Sequence, residues 1–255
     1  MALPLCRASW LGRIAYEEAW RLQREIAAQR AAGLAPDTLL LLEHPPVYTT
    51  GRRGPGSHLR TSPASLGAPL IESDRGGDIT FHGPGQLVAY PIIDLRAAGL
   101  GVAGYVRALE EVIIRTLAHY GIAGRREAGL TGVWVEGEKI AAIGVRVSRP
   151  GGVSAGWVTS HGLSLNVDVD LSWFQRVVPC GIADRGVTSM AKLLGEAPMV
   201  REVAERLSIA FSCVFDRELA AGDLVHPSQE HLDRERLEVP PQTVQMAHAQ
   251  PEAKG

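Results

Sequence analysis

Three features of this 255-residue chain could do chemistry: one cysteine, one lysine and a glycine-rich run. Cys180 stands in the turn Pro179-Cys180-Gly181, where a thiol can be exposed enough to act as a nucleophile. The usual arrangement of such a thiol would bring His82 or His161 close in space. Cys213, by contrast, falls on the apolar side of a helical pattern and Cys6 has no context, and free cysteines usually behave as small buried hydrophobes. Among 26 basic residues only Lys139, Lys192 and Lys254 are lysines. Arginine keeps its proton in a protein whereas lysine can lose it, so a role requiring deprotonation is one that arginine could not fill. Lys139 leads into Ile140-Ala141-Ala142-Ile143-Gly144-Val145, where it could equally lay its stem along the surface and keep its ammonium in water. The third feature runs from Asp74-Arg75-Gly76-Gly77-Asp78 through Ile79-Thr80-Phe81-His82 to Gly83-Pro84-Gly85-Gln86. Glycine lets a backbone approach a ligand, neighbouring amides can hold oxygens, and Arg75 can donate paired hydrogen bonds. A P-loop is excluded because the Gly-Lys-Ser/Thr ending is missing, and two plain hairpin turns would give the same pattern. Asp168 and Asp170, two apart, read as a solvated strand edge.

The elements that must position these residues are legible from periodicity. Ala15, Ala19, Leu22 and Ile26 mark an amphipathic helix over 14–32 ended by Gly33, and Leu39 to Leu42 a buried strand over Thr38 to Glu43 stopped by Pro45-Pro46. Gly51 to Pro63 is full of turn residues and reads as a mobile loop. Strands follow at Pro69 to Ser73, Asp78 to Phe81 and Leu87 to Asp94, and then a helix from Val102 to Tyr120. A hairpin joins Gly132–Glu136 to Lys139–Ser148 through Gly137, and a loop at 150–156 leads into the apolar run Trp157 to Val169. Pro179-Cys180-Gly181 interrupts a helical segment, a short helix begins at Thr188, and a longer one covers Val200 to Phe215. The expectation is an α+β fold, a mixed and largely antiparallel sheet covered by helices, as one catalytic domain over 1–225 with a disordered tail over 226–255. With 45% hydrophobic residues, mean hydropathy +0.02 and net charge −2, the chain is neither disordered nor basic enough for bulk attraction to nucleic acid, and no apolar run spans a membrane. An odd cysteine count at irregular spacing argues against a disulfide framework and a zinc cluster, and no secretory signal is present, so the expected location is cytoplasmic.

Taken together, the motifs resemble the octanoyl transferase family of lipoate biosynthesis, lipoyl(octanoyl) transferase. The resemblance is carried by Leu42-Glu43-His44-Pro45-Pro46-Val47-Tyr48 with Gly51-Arg52, by Arg75-Gly76-Gly77 with Thr80-Phe81-His82-Gly83-Pro84-Gly85-Gln86, and by Gly132-Val133-Trp134. Lys139-Ile140-Ala141-Ala142-Ile143-Gly144, His161-Gly162-Leu163-Ser164-Leu165-Asn166 and Pro179-Cys180-Gly181-Ile182 complete it, in order over roughly residues 10 to 215. Ser164 departs from it, because the family mostly has alanine there. The resemblance implies the biotin/lipoate protein ligase catalytic fold. It also implies a Cys180–Lys139 pair that moves an octanoyl or lipoyl group from acyl carrier protein to a lysine of a lipoyl domain, through a cysteine thioester. The implied acyl pocket comprises Arg75, Gly76, Gly77, Asp78, Ile79, Thr80, Phe81, His82, Ala142, Ile143, Gly144, Gly162, Leu163 and Ser164. The implied partners are acyl carrier protein as donor and, as acceptors, lipoyl domains of 2-oxoacid dehydrogenase E2 subunits and the glycine cleavage H protein. Neither ATP nor metal is required, no nucleic acid or membrane takes part, and the chain is expected to be a monomer. Arg52, Arg53 and Arg149 are candidate docking contacts for an acidic carrier. Two other readings fit less well: an ATP-dependent lipoate or biotin ligase, which needs no nucleophilic cysteine, and a non-catalytic carrier-binding protein, which leaves the scarcity of lysine unexplained.

Overall fold

The run Leu39–Leu42 is continuously apolar because both faces of its strand are covered. Leu39 and Leu41 enter a core shared with α2 (Val102–His119) and α4 (Val200–Phe215), while Leu40 and Leu42 enter a second core under α1 (Tyr16–Ala31). The computed structural model describes residues 2–52, 59–150, 156–177 and 185–220. In chain order its strands are β1 (Leu5–Arg13), β2 (Asp37–Glu43), β3 (Val47–Thr50), β4 (Leu70–Glu72), β5 (Thr80–His82), β6 (Gln86–Ile92), β7 (Arg125–Glu127), β8 (Leu130–Val135), β9 (Glu138–Ser148), β10 (Val158–Asn166) and β11 (Glu218–Ala220). The short helix α3 (Met190–Leu194) precedes α4.

The main sheet has the order β11-β1-β2-β6-β10-β9-β8-β7 and is antiparallel from β2 to β7; β1 is parallel to both β2 and β11. A smaller sheet, β4-β3-β5, leans on a third core built from Tyr48, Ile79, Phe81 and Phe174. This is the expected α+β architecture. The helices lie where the periodicity puts them, and α3 starts just after Thr188, with the Ser189 hydroxyl accepting the Lys192 amide. The turn between β8 and β9 has Glu136 and Gly137 at φ 50° and 84°, the paired positive values of a tight hairpin.

Four strands went unread in the sequence, β1, β3, β7 and β11. In β1 only Cys6 and Ala8 are buried while Trp10 to Gly12 are half covered, so no period of two develops. β7 and β11 are three-residue edges. Cys6 is fully buried in the main core and its thiol is pushed up to about 12, chiefly by burial, so it is an inert packing residue. Cys213 is half-buried on α4 rather than a core residue. Asp168 and Asp170 are exposed as expected, but beyond the end of β10, where Asp170 caps a 3-10 turn at Leu171–Arg176. The turn around Cys180, residues 53–58 of the loop expected at 51–63, residues 151–155 of the loop expected at 150–156, Lys254 and the expected tail lie outside the described residues. No helix among the described residues is long and apolar enough to cross a membrane.

Candidate active site

The glycines of the 74–86 run bring a loop onto the main sheet. The Gly76 amide donates to the Val145 carbonyl at 2.9 Å, and a Cβ on Gly144 would stand 2.9 Å from the Gly76 oxygen, so only glycine permits this approach. Arg75, buried beneath the loop, donates from Nη2 to the carbonyls of Thr49 and Asp78 at 2.6 Å each, from Nε to Thr49 Oγ1 and from Nη1 to the Gly76 carbonyl. Those donors hold the loop to β3. Between loop, sheet and the start of α1 lies a narrow cleft with two ends that share Thr80, Ala142 and Ser164.

At one end stand Lys139, Gln86, Ala141, Asn166, Phe174 and Val187. Lys139 is only 7% exposed, so the sequence alternative of an ammonium held in water is not what the fold does. Its amide donates to the Gly186 carbonyl at 3.0 Å and its carbonyl accepts the Thr188 amide at 3.0 Å. The segment that emerges from the Cys180 turn is thereby fastened alongside Lys139. Two ion pairs reinforce it, Arg185 with Glu127 and Lys192 with Glu138. Lys192 therefore ties α3 to the hairpin rather than merely sitting on a helix surface.

At the other end stand Tyr16, Arg75, Gly77, His82, Val88, Tyr90, Ile143, Gly144, His161, Gly162 and Leu163. Three imidazoles cluster there and each is kept neutral mainly by burial: His44 is lowered to about 4 and His82 and His161 to about 3. His82 also feels His44, and His161 feels Arg75 and Arg146. His82 Nδ1 lies 2.7 Å from Gln86 Oε1, and the Gln86 amide donates to Phe81 O and to Asn166 Oδ1, so the oxygen faces the ring and Nδ1 carries the hydrogen. Asn166 in turn donates to the Thr188 carbonyl, joining this end to the strap beside Lys139. His161 sits at φ 56°, a left-handed backbone, with Nε2 2.7 Å from Asp74 Oδ1, and Asp74 also pairs with Arg146. Tyr16 stacks on both His82 and His161 and donates its hydroxyl to Ser73. The cleft thus offers the Lys139 amine at one end and, at the other, a largely apolar enclosure of neutral histidines with the hydrogen-bonded Arg75 in its wall, suited to an acyl chain with a reactive head. Among the described residues no three His, Cys, Asp or Glu side chains converge as a metal site.

Residues 15–212 match the family model of the lipoyl protein ligase A/B catalytic domain. The octanoyltransferase of Chloroflexus aggregans is 54% identical over 211 residues, covering 81% of this chain and 93% of that one. That of Rubrobacter xylanophilus is 55% identical over 197 residues, covering 74% and 84%. The chain belongs to the octanoyltransferase family of lipoyl protein ligase A/B catalytic domains. Its fold is shared with lipoate-protein ligase A, solved with ATP, at TM-score 0.67 and 16% identity over 92% of this chain and 94% of that one. Ta0514 of T. acidophilum, a putative lipoate protein ligase solved with lipoic acid, gives 0.64 and 15% over 92% and 94%.

Of the acyl-pocket residues that this octanoyltransferase-family sequence suggests, Arg75, Gly77, Thr80, His82, Ala142, Ile143, Gly144, Gly162, Leu163 and Ser164 line the cleft. Ile79 and Phe81 turn the other way, into the third core, because alternate residues of β5 and its approach face opposite sides. Gly76 and Asp78 serve the loop through their backbone carbonyls. Cys180 and Arg53 lie outside the described residues. Arg149 stacks on Trp157 at 4.2 Å. Sequence reasoning missed Tyr16, Tyr90, Phe174 and Val187, none of which carries a motif. Gln86 and Asn166 did leave a signal, being amides inside apolar strand runs that demand buried partners.

Proposed function

We propose that this protein transfers an octanoyl or lipoyl group from the thioester of acyl carrier protein to a lysine of a lipoyl domain, with Cys180 as nucleophile and Lys139 as proton carrier. One observation carries the pairing: Gly186 and Thr188, which follow the Cys180 turn by six and eight residues, bond to both backbone groups of Lys139. The relatives named octanoyltransferase support the transferred group.

In the proposed sequence Lys139 as an ammonium favours the Cys180 thiolate, which attacks the thioester carbonyl. The carrier thiolate leaves and takes its proton from the Lys139 ammonium, so that an octanoyl–Cys180 thioester remains beside a neutral Lys139. The acceptor lysine then attacks as the free amine, its surplus proton passes to neutral Lys139, and the Cys180 thiolate is released as the amide forms. A thioester is already activated, so ATP and metal are unnecessary to this reading. His82 and His161, neutral and hydrogen-bonded, shape the enclosure for the chain. The acceptors fitting the reading are lipoyl domains of 2-oxoacid dehydrogenase E2 subunits and the glycine cleavage H protein. It treats residues 1–225 as one catalytic domain acting in the cytoplasm.

The test is intact-mass analysis after incubation with octanoyl-acyl carrier protein without ATP. An octanoyl adduct is expected, absent in Cys180→Ser and removed by a lipoyl domain. Acylation that persists in Cys180→Ser, or occurs only with ATP and free octanoate, overturns the reading in favour of another nucleophile or of a ligase.

A further inference from the structure

Lys139 is only 7% exposed, and among the described residues no carboxylate lies within ion-pair distance of its amine. The acids around it are engaged elsewhere. Glu138, its neighbour in the hairpin, pairs with Lys192 of α3; Glu127 of β7 pairs with Arg185; Glu110 of α2 pairs with Arg107 and Arg126 and accepts the Gly132 amide. What meets the ammonium is an indole. Lys139 Nζ lies 4.7 Å from the centroid of the Trp134 ring, its pairing partner across the β8–β9 hairpin. Trp134 is 1% exposed, and its indole N–H has no hydrogen-bond partner, so the ring contributes its face and volume and not its polar edge. Gly132 completes the seat: a Cβ there would stand 3.4 Å from Lys139 Cε and 2.5 Å from the Ala141 carbonyl. Arg185 lies over the same ring at 5.6 Å.

We infer that Trp134 is the positioning residue of the Lys139 ammonium, its indole face taking the place that a carboxylate would otherwise hold. This rests on the reading of Lys139 as the proton carrier. A buried ammonium with no compensation is costly, and a carboxylate would compensate it too well. A carboxylate would hold the proton on Lys139 through the acceptor step and would engage its N–H donors. An aromatic face stabilises the cation more weakly and without consuming any donor, so the three N–H groups stay available to the reacting sulfur and amine.

The experiment follows transfer of the octanoyl group from preformed octanoyl-enzyme to a lipoyl domain as a function of pH, in single turnover. Trp134→Leu is expected to slow transfer about tenfold and to move the pH midpoint down by about one unit, because the ammonium loses its stabilisation. Trp134→Phe, which keeps a weaker face, should restore most of both. Site-specific incorporation of a polyfluorinated tryptophan at 134 keeps the volume while emptying the face of negative potential, and should move the midpoint in the same direction even if the leucine variant does not fold. A wild-type midpoint in the fluorinated protein overturns the inference. Lys139→Arg is run alongside: if it transfers the octanoyl group at the wild-type rate, the proton-carrier reading fails, whereas slow transfer by Lys139→Arg with an unmoved midpoint in the fluorinated protein removes only the role of Trp134.

Discussion

The two ends of the cleft solve opposite electrostatic problems with the same sheet. At the Lys139 end an amine is buried with no carboxylate within ion-pair distance among the described residues, pinned through its backbone by Gly186 and Thr188. At the histidine end three rings that could carry charge are kept neutral by burial, and their hydrogen bonds run to Gln86, Tyr90 and Asp74. The difference teaches that burial does not fix the outcome by itself. In the proposed mechanism the group that changes its protonation meets an indole face and, among the described residues, no carboxylate, whereas the histidines are buried and hydrogen-bonded in their neutral form.

The sharpest way to break this contrast is Lys139→Arg, which preserves charge and removes the ability to give up a proton. Steady-state transfer from octanoyl-acyl carrier protein should fall by about a hundredfold or more, within the span that general acid–base catalysis contributes. An unchanged kcat would reduce the Lys139 end to a charge site. Gly144→Val attacks the loop over the histidine end, since its first side-chain atom would meet the Gly76 carbonyl at 2.9 Å and Arg75 Cδ at 3.2 Å. Displacing that loop should cost about 1–3 kcal/mol, visible in urea unfolding, together with loss of transfer.

The histidine end can be read by pH. Each ring is lowered from an ordinary 6.5, so between that value and the lowered one the unfolded chain binds more protons than the folded protein. Stability must therefore fall as the pH drops below about 6.5, and continue falling toward 4, by up to about 1.4 kcal/mol per pH unit for each histidine. His161→Asn, which also accepts a left-handed backbone, should reduce that slope by one histidine's share in urea titrations at pH 7, 6 and 5. An unchanged slope would mean that His161 accepts a proton in the fold. The smallest effect belongs to the shared middle: Ser164→Ala removes a buried hydroxyl from the wall and should lower KM for the octanoyl donor by about twofold with kcat unchanged.

Much of the fold was legible because its strands and helices are covered where their periodicity says they should be. Leu39–Leu42 read as a buried strand, the apolar run Trp157 to Val169 contains β10, and the apolar faces of α2 and α4 meet the sheet as expected. β1 was illegible because its outer half is only half-buried and its partner in parallel pairing lies beyond a helix. In the site, glycines and rare lysines were readable as types. Tyr16 and Tyr90 were not, because an aromatic residue in an apolar pattern looks like any core residue until the neighbouring rings are known.

By itself the sequence determined the kinds of group available: a lysine among arginines, a cysteine in a turn, glycines where a loop must lie close to a sheet, and a motif order that names a family. Only the tertiary structure decided which of them face one another. It turned Phe81 and Ile79 away from the cleft, set His82 and His161 in a neutral enclosure, and laid Lys139 on Trp134 beside a strap arriving from almost fifty residues later. Residue type sets what a group can do, but its charge state depends on burial and on neighbours that the sheet order brings from distant parts of the chain.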